Sequence, residues 1–306
     1  MSTINLLGQW NLTSPQRPEI ETTCTLPGDI HTALLHAECI PDPYFACNEQ
    51  DVQWVSECEW HLSRTFSVTP QQLDCLELQL TLTFVDTLAT VLVNGEKVLT
   101  CSNMFRPFRT NILPFVQLGE NRIDIQLHRN DVEAKRRAAR LPFPVPWAVG
   151  NNQIPHMNTL RKTQCHAGWD WGICLLVSGV YGEISLQALQ TTRLDRVRTQ
   201  QEWNEDGSCT LCITTHYDVL EPGAAVNLSI LFDGNCYEFP LTSKNTGISE
   251  YTHRIKVSTP KLWWPAGYGD QPLYDLEVHL NGQRIQKKIG LRNLQLETSP
   301  DDIAAP

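Results

Sequence analysis

The residues best suited to chemistry sit together at Gly168-Trp169-Asp170-Trp171-Gly172. Indole faces pack against the C–H faces of sugar rings, and a carboxylate accepts paired hydrogen bonds from vicinal hydroxyls. A Trp-Asp-Trp in a loop therefore has the makings of a sugar subsite. The same residues have a plainer alternative, in which both indoles fill the core and Asp170 accepts backbone N–H bonds within a turn. Cys209 and Cys212 form a CxxC, the spacing of many zinc and redox sites. They lie in SCTLCITT, which alternates like a strand, and residues three apart on a strand face opposite ways, so no metal site is predicted there. Asn48-Glu49 and Asn204-Glu205 are Asn-Glu pairs of the kind that supplies a proton donor in some glycosidases. Both fall in turn-like segments. A retaining pair of carboxylates must stand about 5–5.5 Å apart, and nothing in the sequence brings two Glu residues together. No nucleophile elbow, HExxH, phosphate-binding loop or dinucleotide glycine motif is present. Trp263-Trp264-Pro265 reads as a packing anchor at the start of a strand.

The elements that must position these residues are mostly strands. Period-two alternation recurs in Leu76-Leu78-Leu80-Leu82-Phe84, read as one strand with a single buried face, and again in Ile123-Ile125-Leu127 and Ile184-Leu186. It continues in Cys209-Leu211-Ile213, Val226-Leu228-Ile230-Phe232, Ile255-Val257 and Tyr274-Leu276-Val278-Leu280. Asn94-Gly95, Asp233-Gly234 and Asn281-Gly282 stand between alternating segments, where residues tolerant of positive φ make tight hairpins. Helix is expected only near Asp29–Ala37 and Asp131–Arg140. The second carries Lys135, Arg136, Arg137 and Arg140, which read as a solvated basic face. Pro142, Pro144, Pro146 and Pro155 make the stretch from Leu141 to Gly172 irregular, and a loop that long is usually functional or disordered. Its Trp and His content argues for order. No strand–helix alternation occurs, so an all-β architecture of two units meeting near residue 190 is predicted.

Composition narrows the function classes. The 306 residues carry 24 Lys+Arg against 34 Asp+Glu, a net charge of −10, which repels phosphate backbones and argues against nucleic acid. Hydrophobic residues at 41% and charged residues at 19% exclude a disordered chain. No apolar run reaches the roughly 18–20 residues of a membrane helix, and no secretory signal opens the chain, so a soluble, cytoplasmic protein is expected. On that reading the eleven cysteines stay reduced, and the sequons at Asn11 and Asn227 stay empty.

An ordered set of matches spans nearly the whole chain. It includes Gly8-Gln9-Trp10, Leu26-Pro27-Gly28 with His31, Ile40-Pro41-Asp42-Pro43-Tyr44, Trp54 and Trp60, and Val85-Asp86 ahead of Val93-Asn94-Gly95. Arg161-Lys162-x-Gln164 then leads into Gly168-Trp169-Asp170-Trp171-Gly172 and Gly179-Val180-Tyr181. Leu262-Trp263-Trp264-Pro265-x-Gly267-Tyr268-Gly269 and Gly290-Leu291-Arg292 close the set. In these motifs the chain resembles the N-terminal half of β-mannosidases of glycoside hydrolase family 2. The resemblance implies a jelly-roll sugar-binding domain over 1–190, an immunoglobulin-like sandwich over 191–292, and a linker, 293–306, towards a (β/α)8 catalytic barrel that is missing here. In the family that barrel holds both catalytic Glu residues of a retaining hydrolase, so the resemblance implies no catalytic residue, cofactor or metal in this chain. It implies substrate binding by Asp170, flanked by Trp169 and Trp171, with a β-mannoside or related oligosaccharide and the C-terminal barrel as partners. Two positions depart from the family pattern: Ile173 stands where Pro is usual, and Tyr181 where Trp is usual. A free-standing carbohydrate-binding module, an interaction scaffold, or an enzyme for another β-glycoside such as a β-galactoside or β-glucuronide are the alternatives.

Overall fold

The computed structural model describes residues 3–147 and 153–299, which divide into two compact units, Ser2–Ala188 and the chain from Leu189 onward. Both are β-sandwiches. In the first, a six-stranded sheet runs Glu21–Leu26, Gly8–Thr13, Trp60–Val68, Gly119–Leu127, Ala89–Val93 and Glu96–Cys101. A four-stranded sheet runs Thr3–Asn5, Ile184–Leu189, Glu77–Leu82 and Phe108–Asn111. Alternate residues of the long strands build the shared core, with Trp10, Trp60, Leu62, Leu80, Val91 and Ile125 almost fully buried. A third, small sheet, which carries Asp86, pairs Gly179–Val180 with both Gly28–Asp29 and Val85–Asp86.

The predicted helices form. Ile30–His36 starts where extended Asp29 accepts from the Thr32 backbone N–H at 2.8 Å, and Ile30, Ala33 and Leu34 give it a buried stripe. Asn130–Ala138 carries its basic residues outward, with Glu133 accepting from Arg136 and Arg137 at helical spacing. Two one-turn helices, Asn48–Asp51 and Pro70–Leu73, add to them.

The strand read from Leu76 to Phe84 needs correcting. It spans only Glu77–Leu82, lies inside its sheet, and is buried on both faces, with Gln79 donating to Thr81 Oγ1 at 3.3 Å. Leu76 and Phe84 fall outside it and are half exposed, because Phe84 turns into the left-handed region (φ 51°) on the way to Val85–Asp86. The alternation was real, but an interior strand under further structure does not have a solvent face.

Among the described residues the second unit has seven strands. Thr192–Trp203, Cys209–Val219 and Gly247–Val257 form one sheet, and Asn235–Thr242, Ala225–Phe232, Tyr274–Leu280 and Gln283–Ile289 the other. Its core is led by Leu211, Ile213, Leu228, Ile230 and Val278. Both central residues of the Asn94-Gly95, Asp233-Gly234 and Asn281-Gly282 turns have positive φ, which matches the right-handed twist of the strands they join. Cys209 packs in the core, whereas Cys212 donates from the other face of its strand to Glu202 at 3.3 Å. Trp263 packs against Gly290, and Trp264 lies 3.9 Å under the Arg292 guanidinium, as a packing anchor would. The architecture is all-β: a jelly-roll sandwich followed by an immunoglobulin-like sandwich. Residues 293–299 add no strand or helix, and 300–306 of the segment read as a linker lie outside the described residues.

Candidate functional site

The Trp-Asp-Trp stretch is the corner of a tight turn. Gly168 enters it at φ 99° and ψ 149°, a conformation reserved for glycine. The Gly172 N–H then donates to the Trp169 carbonyl at 2.9 Å, leaving Asp170 and Trp171 as the two corner residues. Trp171 sits in the left-handed region at φ 54°, which costs a bulky residue about 1 kcal/mol. Despite that, neither indole is buried: Trp169 is 59% exposed and Trp171 102%. Asp170 is exposed and has no hydrogen-bond or ion-pair partner among the described residues. The core-filling alternative for these residues is therefore excluded. The turn presents two indoles and a carboxylate to solvent, with its backbone strain at Trp171.

The root of the turn is built far more firmly than its tip. The His166 carbonyl accepts from the Leu176 N–H at 2.8 Å, tying the outgoing chain to the incoming one. Glu49 Oε1 accepts from the Cys174 N–H at 2.8 Å, and Gln53 Nε2 donates to the Cys174 carbonyl at 2.8 Å. Glu49 thus serves as a backbone acceptor here, bonded to a residue 125 positions away. Beneath lies a small separate apolar cluster of Leu88, Ala134, Met157, Leu160, Ala167 and Leu176.

At the centre of the root is a group that the sequence reading left without a role. Lys162 and Asp86 have fully buried side chains 3.0 Å apart, Nζ to Oδ1. Lys162 Nζ also lies 3.0 Å from the Val177 carbonyl and 3.1 Å from His166 Nδ1. His166 Nδ1 is in turn 3.1 Å from Asp86 Oδ2, and Thr87 Oγ1 donates to Asp86 Oδ1. Burial by itself would raise the Asp86 carboxyl, but the His166 hydrogen bond and the Lys162 charge outweigh it and hold the group below the usual carboxylate range. Burial lowers Lys162, and the neighbouring Asp86 opposes that shift. Asp86 and Lys162 are 76 positions apart, so no local pattern could pair them. The available signal was that Val85-Asp86 and Arg161-Lys162 stand in the same ordered set of matches.

His31 lies nearby, its ring influenced by Asp29, His166 and Lys162. It is 5% exposed with no hydrogen-bond partner among the described residues at either ring nitrogen, and burial pushes its imidazole down to about 4. Among the described residues no three His, Cys, Asp or Glu side chains are placed to hold a metal, and no helix is long and apolar enough to cross a membrane.

Residues 10–182 match the galactose-binding-like domain of glycosyl hydrolase family 2, and residues 192–292 match a second domain described for glycosyl hydrolases family 2. A probable β-mannosidase of Caenorhabditis elegans is 28% identical over 312 residues, covering 96% of this chain and 34% of its own length. The β-mannosidase of Bos taurus is 26% identical, covering 97% of this chain and 35% of its own length. The chain thus spans about a third of the length of the curated relatives it matches. The crystal structure of a β-D-mannosidase from Dictyoglomus thermophilum superposes with a TM-score of 0.88 at 25% identity, over 99% of this chain and 38% of that one. An exo-chitosanase from Amycolatopsis orientalis shares the fold at 16% identity, with a TM-score of 0.66 over 96% of this chain and 34% of that one. With both domain matches in order and the first covering more than half of its residues, the chain belongs to glycosyl hydrolase family 2.

Proposed function

We propose that these 306 residues are the non-catalytic, substrate-shaping portion of a retaining β-mannosidase-like hydrolase. In this reading the first sandwich, up to about residue 190, presents the Trp169-Asp170-Trp171 turn to a terminal β-mannosyl unit. The second ends near 292, and 293–306 lead to a (β/α)8 barrel. The observation that carries the reading is the turn itself: two solvent-facing indoles around a carboxylate without a protein partner, held at a strained φ on a rigid root. Apolar faces for a sugar ring beside an acceptor for paired hydroxyls are what a sugar subsite requires. The choice of a β-mannoside is supported by the names of the relatives, which are β-mannosidases from animals and fungi.

Hydrolysis with retention needs a general acid and a nucleophile, both carboxylates, at close and fixed separation. Among the described residues there is no α/β barrel to hold such a pair, so the proposed catalytic glutamates belong to the remaining two-thirds of the complete enzyme. The part assigned to Asp170 is to accept hydrogen bonds from the sugar hydroxyls.

Titration of the chain with methyl β-mannoside or mannobiose, followed by tryptophan emission and by calorimetry, tests the reading. Saturable binding that Asp170→Ala weakens supports it. Equal response to β-galactoside and β-glucuronide would broaden the substrate class, and no response of the indoles to any glycoside would remove the sugar from the reading.

A further inference from the structure

We propose that Lys162, Asp86 and His166 are positioning residues for the Trp169-Asp170-Trp171 turn, a buried clasp that sets where the turn leaves the sandwich and which way it points. What the turn meets rests on the sugar-binding reading above, while the action of the clasp rests on geometry.

The clasp joins side chains from three pieces of chain, beside the Gly179–Val180 pairing with Val85–Asp86 and the Leu176 N–H to His166 carbonyl bond. Asp86 comes from the small sheet, Lys162 and His166 from the segment entering the turn, and the Val177 carbonyl from the segment leaving it. Lys162 and Val177 are 15 positions apart, so their 3.0 Å bond closes the chain into a loop with the turn at its far end. An ammonium has three protons. With His166 Nδ1–H donating to Asp86 Oδ2, Nζ has Asp86 Oδ1 at 3.0 Å, Asp86 Oδ2 at 3.1 Å and the Val177 carbonyl at 3.0 Å as its acceptors.

A buried ion pair is a poor device for stability alone, because desolvation of both charges offsets most of their attraction and an apolar pair of equal volume often does as well. Its distinctive property is intolerance of alternatives. Here the Lys162 ammonium is held by Asp86 and by the Val177 carbonyl, one on each side of the root. The tip needs such guidance, since its one internal bond is Gly172 N–H to Trp169 O and its indoles pack on little. The direction of the turn is therefore inherited from its root. His166 adds a second link, because its side chain joins the clasp while its carbonyl holds the Leu176 N–H.

The test uses the 306-residue chain and two variants, Lys162→Met and the doubly neutral Asp86→Asn/Lys162→Met. The single change strands a buried carboxylate and is expected to lower the melting temperature of the first unit. The double change leaves no unpaired charge, so it stays informative if the single variant does not fold. In the double variant, amide hydrogen exchange over 168–177 should accelerate by about tenfold or more while the long strands keep wild-type protection. Mannobiose binding should weaken by a similar factor although Trp169, Asp170 and Trp171 are intact. Exchange at 168–177 that rises no more than in the rest of the unit would overturn the proposal, as would loosened flanks with undiminished mannobiose affinity. If the wild-type chain binds no mannobiose, the sugar-binding reading fails by itself, and the exchange result alone decides the clasp.

Discussion

Asp170 and His31 carry opposite expectations. Asp170 is solvent-facing and without a partner among the described residues, so Asp170→Ala should leave the melting temperature of the chain within a degree or two. The same change should weaken glycoside binding by roughly ten- to a hundredfold, since hydrogen bonds to a charged acceptor contribute about 1.5–3 kcal/mol. A drop of many degrees would instead mean that the carboxylate supports the fold. His31 is buried and must fold neutral. Its folded value, about 4, lies below the ordinary 6.5, so between those values the unfolded chain binds a proton that the folded one refuses. Stability is therefore lost as pH falls from 6.5 to 4, by up to about 3 kcal/mol from this group. Melting curves at pH 7 and pH 4.5 check it: His31→Leu should narrow the gap between them by several degrees. The residue types at 168–172 made a sugar subsite conceivable from sequence, but whether the indoles faced inward or outward was not legible. Side-chain burial is decided by what else the chain folds against that spot. The clasp was hidden for the same reason, its members being 76 and 80 positions apart.

Local rules were enough to read the hairpins, because a two-residue turn with positive φ at both positions selects Asn-Gly or Asp-Gly regardless of the rest of the fold. They were enough for the helix Ile30–His36 too, where Asp29 caps and the apolar residues recur at helical spacing. They misjudged the strand Glu77–Leu82, since the covering of its second face comes from elsewhere in the chain. The one-turn helix Asn48–Asp51 shows the limit most clearly. Four residues cannot hold a helix by propensity, and Glu49 and Gln53 at this place are instead engaged with the backbone of Cys174. Glu49→Ala should leave that buried N–H without its acceptor, at a cost of about 1–3 kcal/mol. Exchange should rise at residues 173–175 and in 48–53, while the second unit, which shares none of these bonds, keeps its protection. Unchanged exchange on both segments would show that the bond contributes nothing to holding them.

For the molecule as a whole, the sequence matches and the two sandwiches agree on family and fold class, but the activity belongs to a longer protein in the reading proposed. The 306-residue chain is accordingly expected to show no turnover of an aryl β-mannoside. Turnover abolished by changing a Glu within residues 1–306 would overturn the assignment of catalysis to a separate barrel. The thiols offer a second check across both units. Burial pushes Cys24 and Cys101 up to about 12 and Cys174 up to about 11, so their thiolates are scarce at neutral pH. Cys39, Cys47, Cys165 and Cys236 are exposed. Brief treatment with iodoacetamide, read by peptide mass spectrometry, should label those four first and leave Cys24 and Cys101 unmodified until the fold is opened.

The hairpin turns also determine how the protein ages. Asn-Gly and Asp-Gly sequences decay when the glycine amide nitrogen attacks the preceding side-chain carbonyl, which requires that side chain to swing free. Asn94 cannot do so easily: its Nδ2 donates to the Phe115 carbonyl at 2.9 Å and to Asn121 Oδ1 at 2.8 Å, and its Oδ1 accepts from the Arg122 N–H at 2.9 Å. Asn281 is bound in the same manner, accepting from the Asn227 N–H and donating to the Ala225 carbonyl, each at 2.9 Å. Asp233 is exposed, and its carboxylate has no such bonds among the described residues. On long storage, chemical wear should concentrate as isomerisation at Asp233-Gly234, while the two asparagines, the more labile residue type in a free peptide, outlast it.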